Sequence, residues 1–422
     1  MAQMTVASEV MTTADGTPLK VSLRRALRRS KIRAVLLVAP LFLFILITFL
    51  IPILDMTFRS VENSVVSRIL HRTVPLIQEW DDSSGKLPSE AVFAAMAADI
   101  VEGRETREIG KVGTRLNYEV AGMSSLFRKS GRKVKNIEEP PFKEAMIDID
   151  KKWGDINTWR LIKRESRNLT PSYYLAAIDM KLGFDGGIEM QADERRIYVK
   201  LFIRTLLLSA LITGLCLVLG YPIAFLLATL PTRTSNLLMI LVLLPFWTSL
   251  LVRTTSWIVL LQQEGVLNDL FVWFGLIEDD QRLRMIHNQF GTIIAMTHIL
   301  LPFMVLPLYS VMKTIPPSYM RAARSLGANP FTAFVRVYVP NTVAGMGAGG
   351  ILVFIIAIGY YITPALVGGT SGTLISNFIA YHMQVSLNWG LAAALGAILL
   401  AIVLVLYVLY DKIVGIDNMK LG

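Results

Sequence analysis

One cysteine and four histidines leave this 422-residue chain little with which to build metal or redox chemistry. Cys216 stands alone, so no intrachain disulfide can form. Its place inside an apolar run makes it a small apolar residue at a helix interface. The histidines, His71, His287, His298 and His382, are scattered and suggest neither a metal site nor a proton relay. No G-x-x-x-x-G-K-[ST] segment exists, which excludes a P-loop in this chain, and H-E-x-x-H and G-x-S-x-G are missing too. No carboxylate sits in the centre of a long apolar run; Asp55 and Asp411 lie at the ends of theirs. A proton- or sodium-driven carrier usually needs such an acid or a broken-helix ion site, so this lack weighs against secondary transport.

What the chain has in abundance is apolar side chains, 53% of the total, in runs near 34–54, 199–230, 237–261, 289–312, 337–366 and 390–410. Each reaches or exceeds the roughly 20 residues that cross about 30 Å of hydrocarbon as a helix. Helix is the form in which lipid leaves no backbone group unpaired. One such run could be a buried core helix; six in one chain describe an all-α integral membrane protein with six transmembrane helices. A net charge of +10 would suggest nucleic acid in a soluble protein. Here the cations flank membrane runs, topology accounts for them, and no nucleic-acid partner is expected.

Lys20, Arg24, Arg25, Arg28, Arg29, Lys31 and Arg33 precede the first run with no acid among them, a strong cytoplasmic anchor. A signal peptide would carry similar charge, but the stretch from Ala34 to Leu54 is long and no small-residue cleavage site ends it. Residues 1–19 are polar without pattern and are expected to be unstructured. With the N-terminus inside, 55–198, 262–288 and 367–389 fall outside, and 231–236, 313–336 and 411–422 inside. The 313–336 loop carries Lys313, Arg321, Arg324 and Arg336 and no acid. The 262–288 loop holds Glu264, Asp269, Glu278, Asp279 and Asp280 beside Arg282 and Arg284. The expected organisation is a basic cytoplasmic tail over 1–33, a first membrane helix over 34–58, a periplasmic insert over 59–197, and a five-helix membrane domain over 198–415. The expected location is a bacterial inner membrane.

The insert is rich in charge and, at about 140 residues, long enough for a domain. Val92, Ala95, Met96 and Ile100 have amphipathic helical spacing. Trp153, Trp159, Tyr173 and Tyr174 could form a small core or sit at the membrane interface. Both a structural cap and a docking platform for an extracytoplasmic binding protein fit this composition.

Gly345, Gly347 and Gly350 match G-x-G-x-x-G, but inside an apolar run they let helices approach closely rather than cradle a pyrophosphate. Two cations enter the runs. Arg204 lies near the start of the second and can snorkel to the interface; Arg253 is deeper. Pro245 removes a helical hydrogen bond and is expected to kink the third span. Arg253 then falls eight residues on, roughly 12 Å along the axis. A kinked helix belongs against protein or water. Trp247 and Arg253 are therefore expected on a subunit interface or a solute path. Tyr221, Tyr309, Tyr360 and Tyr361 offer aromatic faces that could hold a cation there.

The fourth and fifth runs are joined by Ile315-Pro316-Pro317-Ser318-Tyr319-Met320-Arg321-Ala322-Ala323-Arg324-Ser325-Leu326-Gly327-Ala328-Asn329-Pro330. This predicts a short, well-punctuated helix. Pro316 and Pro317 break the preceding span and suit a first turn. Gly327 can turn left-handed at the end, and Pro330 forces a second break. Ala322 and Ala323 give a thin face that could enter a groove on a partner. An ordinary solvated loop would carry the same charges.

These residues resemble the loop of type I, MetI-like permease subunits of bacterial ABC importers, which has the form E-A-A-x-x-x-G followed further on by apolar-x-apolar-Pro. Ala322, Ala323 and Gly327 match, as do Val337-Tyr338-Val339-Pro340; Arg321 stands where the usual acid would be. Segments 216–224, 244–248 and 300–309 further resemble spermidine/putrescine-type permeases, particularly the first of their two permease subunits. The resemblance implies a complex with a second, different permease subunit, a cytoplasmic ATP-binding-cassette ATPase dimer and a periplasmic solute-binding protein. ATP and Mg would be held by the ATPases and no cofactor by this chain. It assigns Arg321, Ala322, Ala323, Gly327 and Pro340 to ATPase coupling and no residue to catalysis. A polyamine is the solute it suggests, with amino-acid derivatives or anions as alternatives. A secondary carrier would work without ATPase partners, and a membrane-bound enzyme would show a polar catalytic constellation.

Overall fold

The computed structural model describes residues 19–137 and 139–414. Of the stretch 1–19 expected to be unstructured, 1–18 lie outside the described residues, as does the C-terminal end from 415. The chain divides into two units, Met1–Phe58 and Arg59–Gly422. In the first, α1 (Leu19–Ile45) starts well before the apolar run, so the basic segment is itself helical from Leu19. A π-helical turn (Leu46–Leu50) leads into α2 (Ile51–Arg59). Thr48 and Thr57 each donate back to the carbonyl four residues earlier, at 2.7 and 2.8 Å, so neither hydroxyl is left bare in lipid.

The second unit opens with the insert. It holds α3 (Ser64–Ile69), α4 (Thr73–Glu79), α5 (Glu90–Glu105), α6 (Ile109–Glu119), α7 (Met123–Lys133), α8 (Phe142–Ile149), α9 (Ile156–Glu165) and α10 (Ser172–Ala177). A two-stranded hairpin follows, β1 (Met180–Leu182) and β2 (Ile188–Met190). Its core is built on the fully buried Phe93, Phe127, Trp153 and Trp159. Each indole finds an acceptor: Trp153 Nε1 donates to Ser130 Oγ and Trp159 Nε1 to the Trp153 carbonyl, both at 2.9 Å. These two tryptophans are therefore core residues. Tyr173 instead packs with Ala177 against Leu201, Phe202 and Leu391 of the membrane part. Below the core, Arg115 is buried 2.5 Å from Glu165 and 2.9 Å from Glu119, with its Nε donating to Asn63 Oδ1. Burial pushes the Glu119 carboxyl above the usual range, the Glu165 charge adds to this, and Arg115 opposes it.

The membrane part comprises α11 (Tyr198–Thr229), α12 (Thr232–Leu243), α13 (Leu250–Leu261), α14 (Val266–Trp273), α15 (Gln289–Thr314), α16 (Pro317–Ser325), α17 (Pro330–Ala333), α18 (Val339–Gly359), α19 (Ile362–Val367), α20 (Gly369–Gly372), α21 (Ile375–Gln384) and α22 (Trp389–Val414). Among the described residues five helices are long and apolar enough to cross a membrane: Leu27–Arg59, Asp193–Thr229, Gln289–Thr314, Pro330–Gly359 and Trp389–Lys412. Thr232–Trp247 and Leu250–Trp273 would make a sixth as one broken span.

Helix α15 is central and packs on α11 and α18. Cys216 is fully buried in that contact, its thiol donating to the Thr297 carbonyl at 3.5 Å. The small-residue contact uses Gly345 and Gly349, four apart on one face of α18. A Cβ on Gly345 would sit 3.2 Å from the Pro307 carbonyl oxygen, and one on Gly349 2.8 Å from Met304 Sδ. Gly350 would meet nothing, so the literal G-x-G-x-x-G spacing is not the one the packing uses.

Two apolar runs expected to be single helices are broken. The third does not merely kink at Pro245; its halves meet at 97°. Thr248 and Ser249 are extended, and Ser249 Oγ accepts from the Val252 amide at 3.2 Å, starting a new helix. Arg253 thus lies in the first turn of a reoriented helix, not 12 Å along a continuing one. The fifth run stops at Gly359, where Tyr360 turns extended and Asn377 Nδ2 holds the Tyr361 carbonyl at 2.7 Å.

Candidate functional site

The loop between α15 and α18 is built almost wholly from local chemistry. Ile315 and Pro316 are extended, which ends α15, and Pro317 opens α16 where its missing amide is not needed. At the other end Gly327 has φ +88°. Its amide donates to Arg324 O at 3.0 Å and the Ala328 amide to Ala323 O at 3.1 Å. Those two bonds, crossing around a left-handed residue, are a Schellman closure. Asn329 Oδ1 then accepts from the Thr332 amide at 2.7 Å and starts α17, with Pro330 in its first turn.

None of the side chains of α16 is buried. Arg321 and Ala322 are exposed, Ala323 is half-buried, Leu326 is 89% exposed and Phe331 is exposed as well. Pro340 is exposed in the first turn of α18, after a π-helical turn at Phe334–Tyr338. That turn is the mechanical backing of the loop. Phe334 stacks on Tyr338 at 5.5 Å, and both meet Phe225 of α11 edge-on at 5.4 and 5.2 Å. Tyr221 joins them, 6.2 Å from Phe334, with its hydroxyl 3.1 Å from Thr342 Oγ1. Tyr221 therefore sits behind the loop, with partners from the α17–α18 segment. The sequence pointed to neither Phe225 nor Phe334; their pairing is long-range and leaves no local pattern.

A second polar cluster lies where α13, α15 and α19 meet. Arg253 Nε is buried without a hydrogen-bond partner. The guanidinium is within electrostatic range of His298 and Tyr360. One turn on, Trp257 Nε1 donates to His298 Nδ1 at 3.2 Å. Thr254 and Thr363 share a buried hydroxyl pair at 3.1 Å that ties α13 to α19. His298 and these threonines were invisible as a group because three separate helices supply them. Trp247 stands at the break, 71% exposed, and Tyr361 beyond the second break is also exposed. Tyr309 is half-buried against the α11–α15–α18 core. The expected lining residues thus fall in different places: Arg253 with Tyr360, Trp247 and Tyr361 at the two breaks, Tyr221 behind the loop. Arg204 reaches the Thr370 carbonyl at 3.0 Å, an intrachain partner rather than the free interface. No group of three or more metal-ligating side chains occurs among the described residues.

Residues 220–414 match the family of binding-protein-dependent transport system inner membrane components. The spermidine/putrescine transport system permease protein PotB of Haemophilus influenzae is 35% identical over 222 residues, 52% of this chain and 77% of that protein. PotB of Escherichia coli K12 is 34% identical over 224 residues, 53% and 81% of the two chains. The inner membrane ABC transporter permease protein YdcU of Escherichia coli K12 is 29% identical, covering 51% and 71%. Among solved structures, a bacterial ABC transporter involved in import of the acidic polysaccharide alginate aligns with a TM-score of 0.43 at 18% identity, covering 55% and 81%. This chain belongs to the binding-protein-dependent transport system inner membrane components, as a multi-pass membrane subunit of a transport system.

Proposed function

We propose that this chain is a permease subunit of an ATP-driven polyamine importer, taking up spermidine, putrescine or a related amine. The carrying observation is the α16 helix, with no side chain buried and closed by a left-handed Gly327 in a loop with four cations and no acid. The names of relatives at 34–35% identity supply the solute class. In this reading six spans cross the membrane, the broken pair α12–α14 counting as one. The N-terminus and α16 face the cytoplasm, and the insert faces the periplasm.

ATP binding closes a pair of partner ATPases that hold ATP and Mg. Arg321, Ala322, Ala323 and Gly327 form the docking surface, with Pro340 holding the start of α18. The aromatic group Tyr221, Phe225, Phe334 and Tyr338 passes the motion into α11 and α18. A binding protein delivers solute from the outside. Tyr309 and Tyr361 line the path. Trp247 and Arg253 lie on the contact with a second permease subunit, since a guanidinium in the path would repel a polyamine and Arg253 Nε is buried without a hydrogen-bond partner among the described residues of this chain. Purification by an affinity tag tests the assembly. An ATP-binding-cassette subunit and a second permease should come down together with it; a chain that purifies alone and still accumulates spermidine would be a secondary carrier.

A further inference from the structure

The β1–β2 hairpin has two unlike faces. Its register pairs Met180 with Met190 and Leu182 with Ile188, while Lys181 opposes Glu189 between them. Side chains alternate along a strand, so the four apolar residues share one face and the ion pair, 3.2 Å between Lys181 Nζ and Glu189 Oε2, takes the other. Ile188 is 65% and Met190 55% exposed, and Phe184 at the turn is exposed too. A lone two-stranded hairpin is marginal in water, and one that shows water its apolar face is more so.

The position of the hairpin identifies what covers that face. The Asp179 carboxylate, just before β1, accepts the amides of Ile197, Tyr198 and Val199 at 3.1, 2.9 and 2.9 Å. The Gln191 amide, just after β2, donates to Asp179 O at 3.0 Å. Both strand ends are thereby pinned to the first turn of α11. That helix has 32 residues, about 48 Å at 1.5 Å per residue, against roughly 40–45 Å for a bilayer with its headgroups. Its Tyr198 end therefore lies at the headgroup layer. The exposed apolar stripe Val199, Ile203, Leu207 and Leu211 runs down α11 from the same turn, so the hairpin is pinned where an exposed apolar stripe of a helix long enough to span the membrane begins.

We infer that the apolar face of β1–β2 lies in the lipid surface beside α11, as an interfacial anchor that sets the height of the insert over the membrane. The inference needs only that α11 spans the bilayer and is independent of the solute and of the side on which the insert lies. Ile188→Cys and Glu189→Cys, each in a Cys216→Ala background, would carry a fluorescent NBD label in the full chain, reconstituted in phosphatidylethanolamine–phosphatidylglycerol nanodiscs. The label at Ile188 should be quenched several-fold more by doxyl-labelled lipid than by aqueous iodide, and the label at Glu189 the reverse. A label at Met190 repeats the test should Ile188→Cys not assemble. Iodide-dominated quenching at all positions overturns the anchor. Protection of Ile188 and Met190 from both quenchers also overturns it, since a protein surface would then cover the face.

Discussion

Replacing Gly327 with valine should stop transport while leaving the protein in the membrane. The residue sits at φ +88°, and a Cβ there would meet no heavy atom within 4 Å. The penalty is therefore backbone strain and not a clash. A left-handed conformation costs a non-glycine residue roughly 1–2 kcal/mol, and most for a β-branched one. That alone lowers the closed population about 5–30-fold. If valine unwinds the turn, the bonds Gly327 N to Arg324 O and Ala328 N to Ala323 O are lost as well, about 1 kcal/mol each. Asparagine tolerates the left-handed region, so Gly327→Asn should keep most activity, Gly327→Ala an intermediate amount and Gly327→Val almost none. The assay is uptake of labelled spermidine beside recovery of the ATPase with the tagged chain. Normal uptake in Gly327→Val, or Asn as harmful as Val, would refute the role of the turn.

Gly349→Val places a Cβ 2.8 Å from Met304 Sδ and 3.1 Å from its carbonyl; overpacking of this kind costs about 1–3 kcal/mol, and the detergent-solubilised protein should melt earlier while Gly350→Ala, in open space, does not. Arg115→Met takes from the fully buried Glu165 one of its two guanidinium partners, leaving Arg164 at 2.8 Å, and should destabilise the insert by roughly 1.5–3 kcal/mol, seen as protease sensitivity confined to 59–197. Protease added to spheroplasts should cut the insert; cleavage only in inverted vesicles would reverse the topology. Cysteines at positions 247 and 253 in a Cys216→Ala background should be shielded from a water-soluble thiol reagent in the assembled complex and react once the subunits are separated in detergent; equal labelling in both would remove both from the subunit contact.

The α16 loop was legible because its determinants are local: Pro316, Pro317, Gly327, Asn329 and Pro330 each act within a few residues. The breaks in the third and fifth runs were not, because apolar content reports the solvent around a segment and not its direction. Their signals were present but weak: Ser249 as a helix cap, and Pro364 one turn past Tyr360–Tyr361. The Arg253–Trp257–His298 group and the aromatic backing of α16 depend on α11, α13, α15 and α18 meeting, which no single stretch encodes. In the insert, Trp153 and Trp159 were candidates for core or interface, and the buried indole hydrogen bonds decide for core. The alternation in Met180–Met190 was readable as a strand signal but is short, and its significance comes from the Asp179 cap that fixes it to α11.

The central claim is that this chain moves solute only when ATPases act on it through α16. The most direct measurement is spermidine accumulation in proteoliposomes holding the chain with its co-purified subunits and binding protein, with and without ATP. The account predicts accumulation that requires ATP and disappears in Gly327→Val with the subunits still present or lost from the complex. Accumulation without ATP, driven by an ion gradient alone, would contradict it.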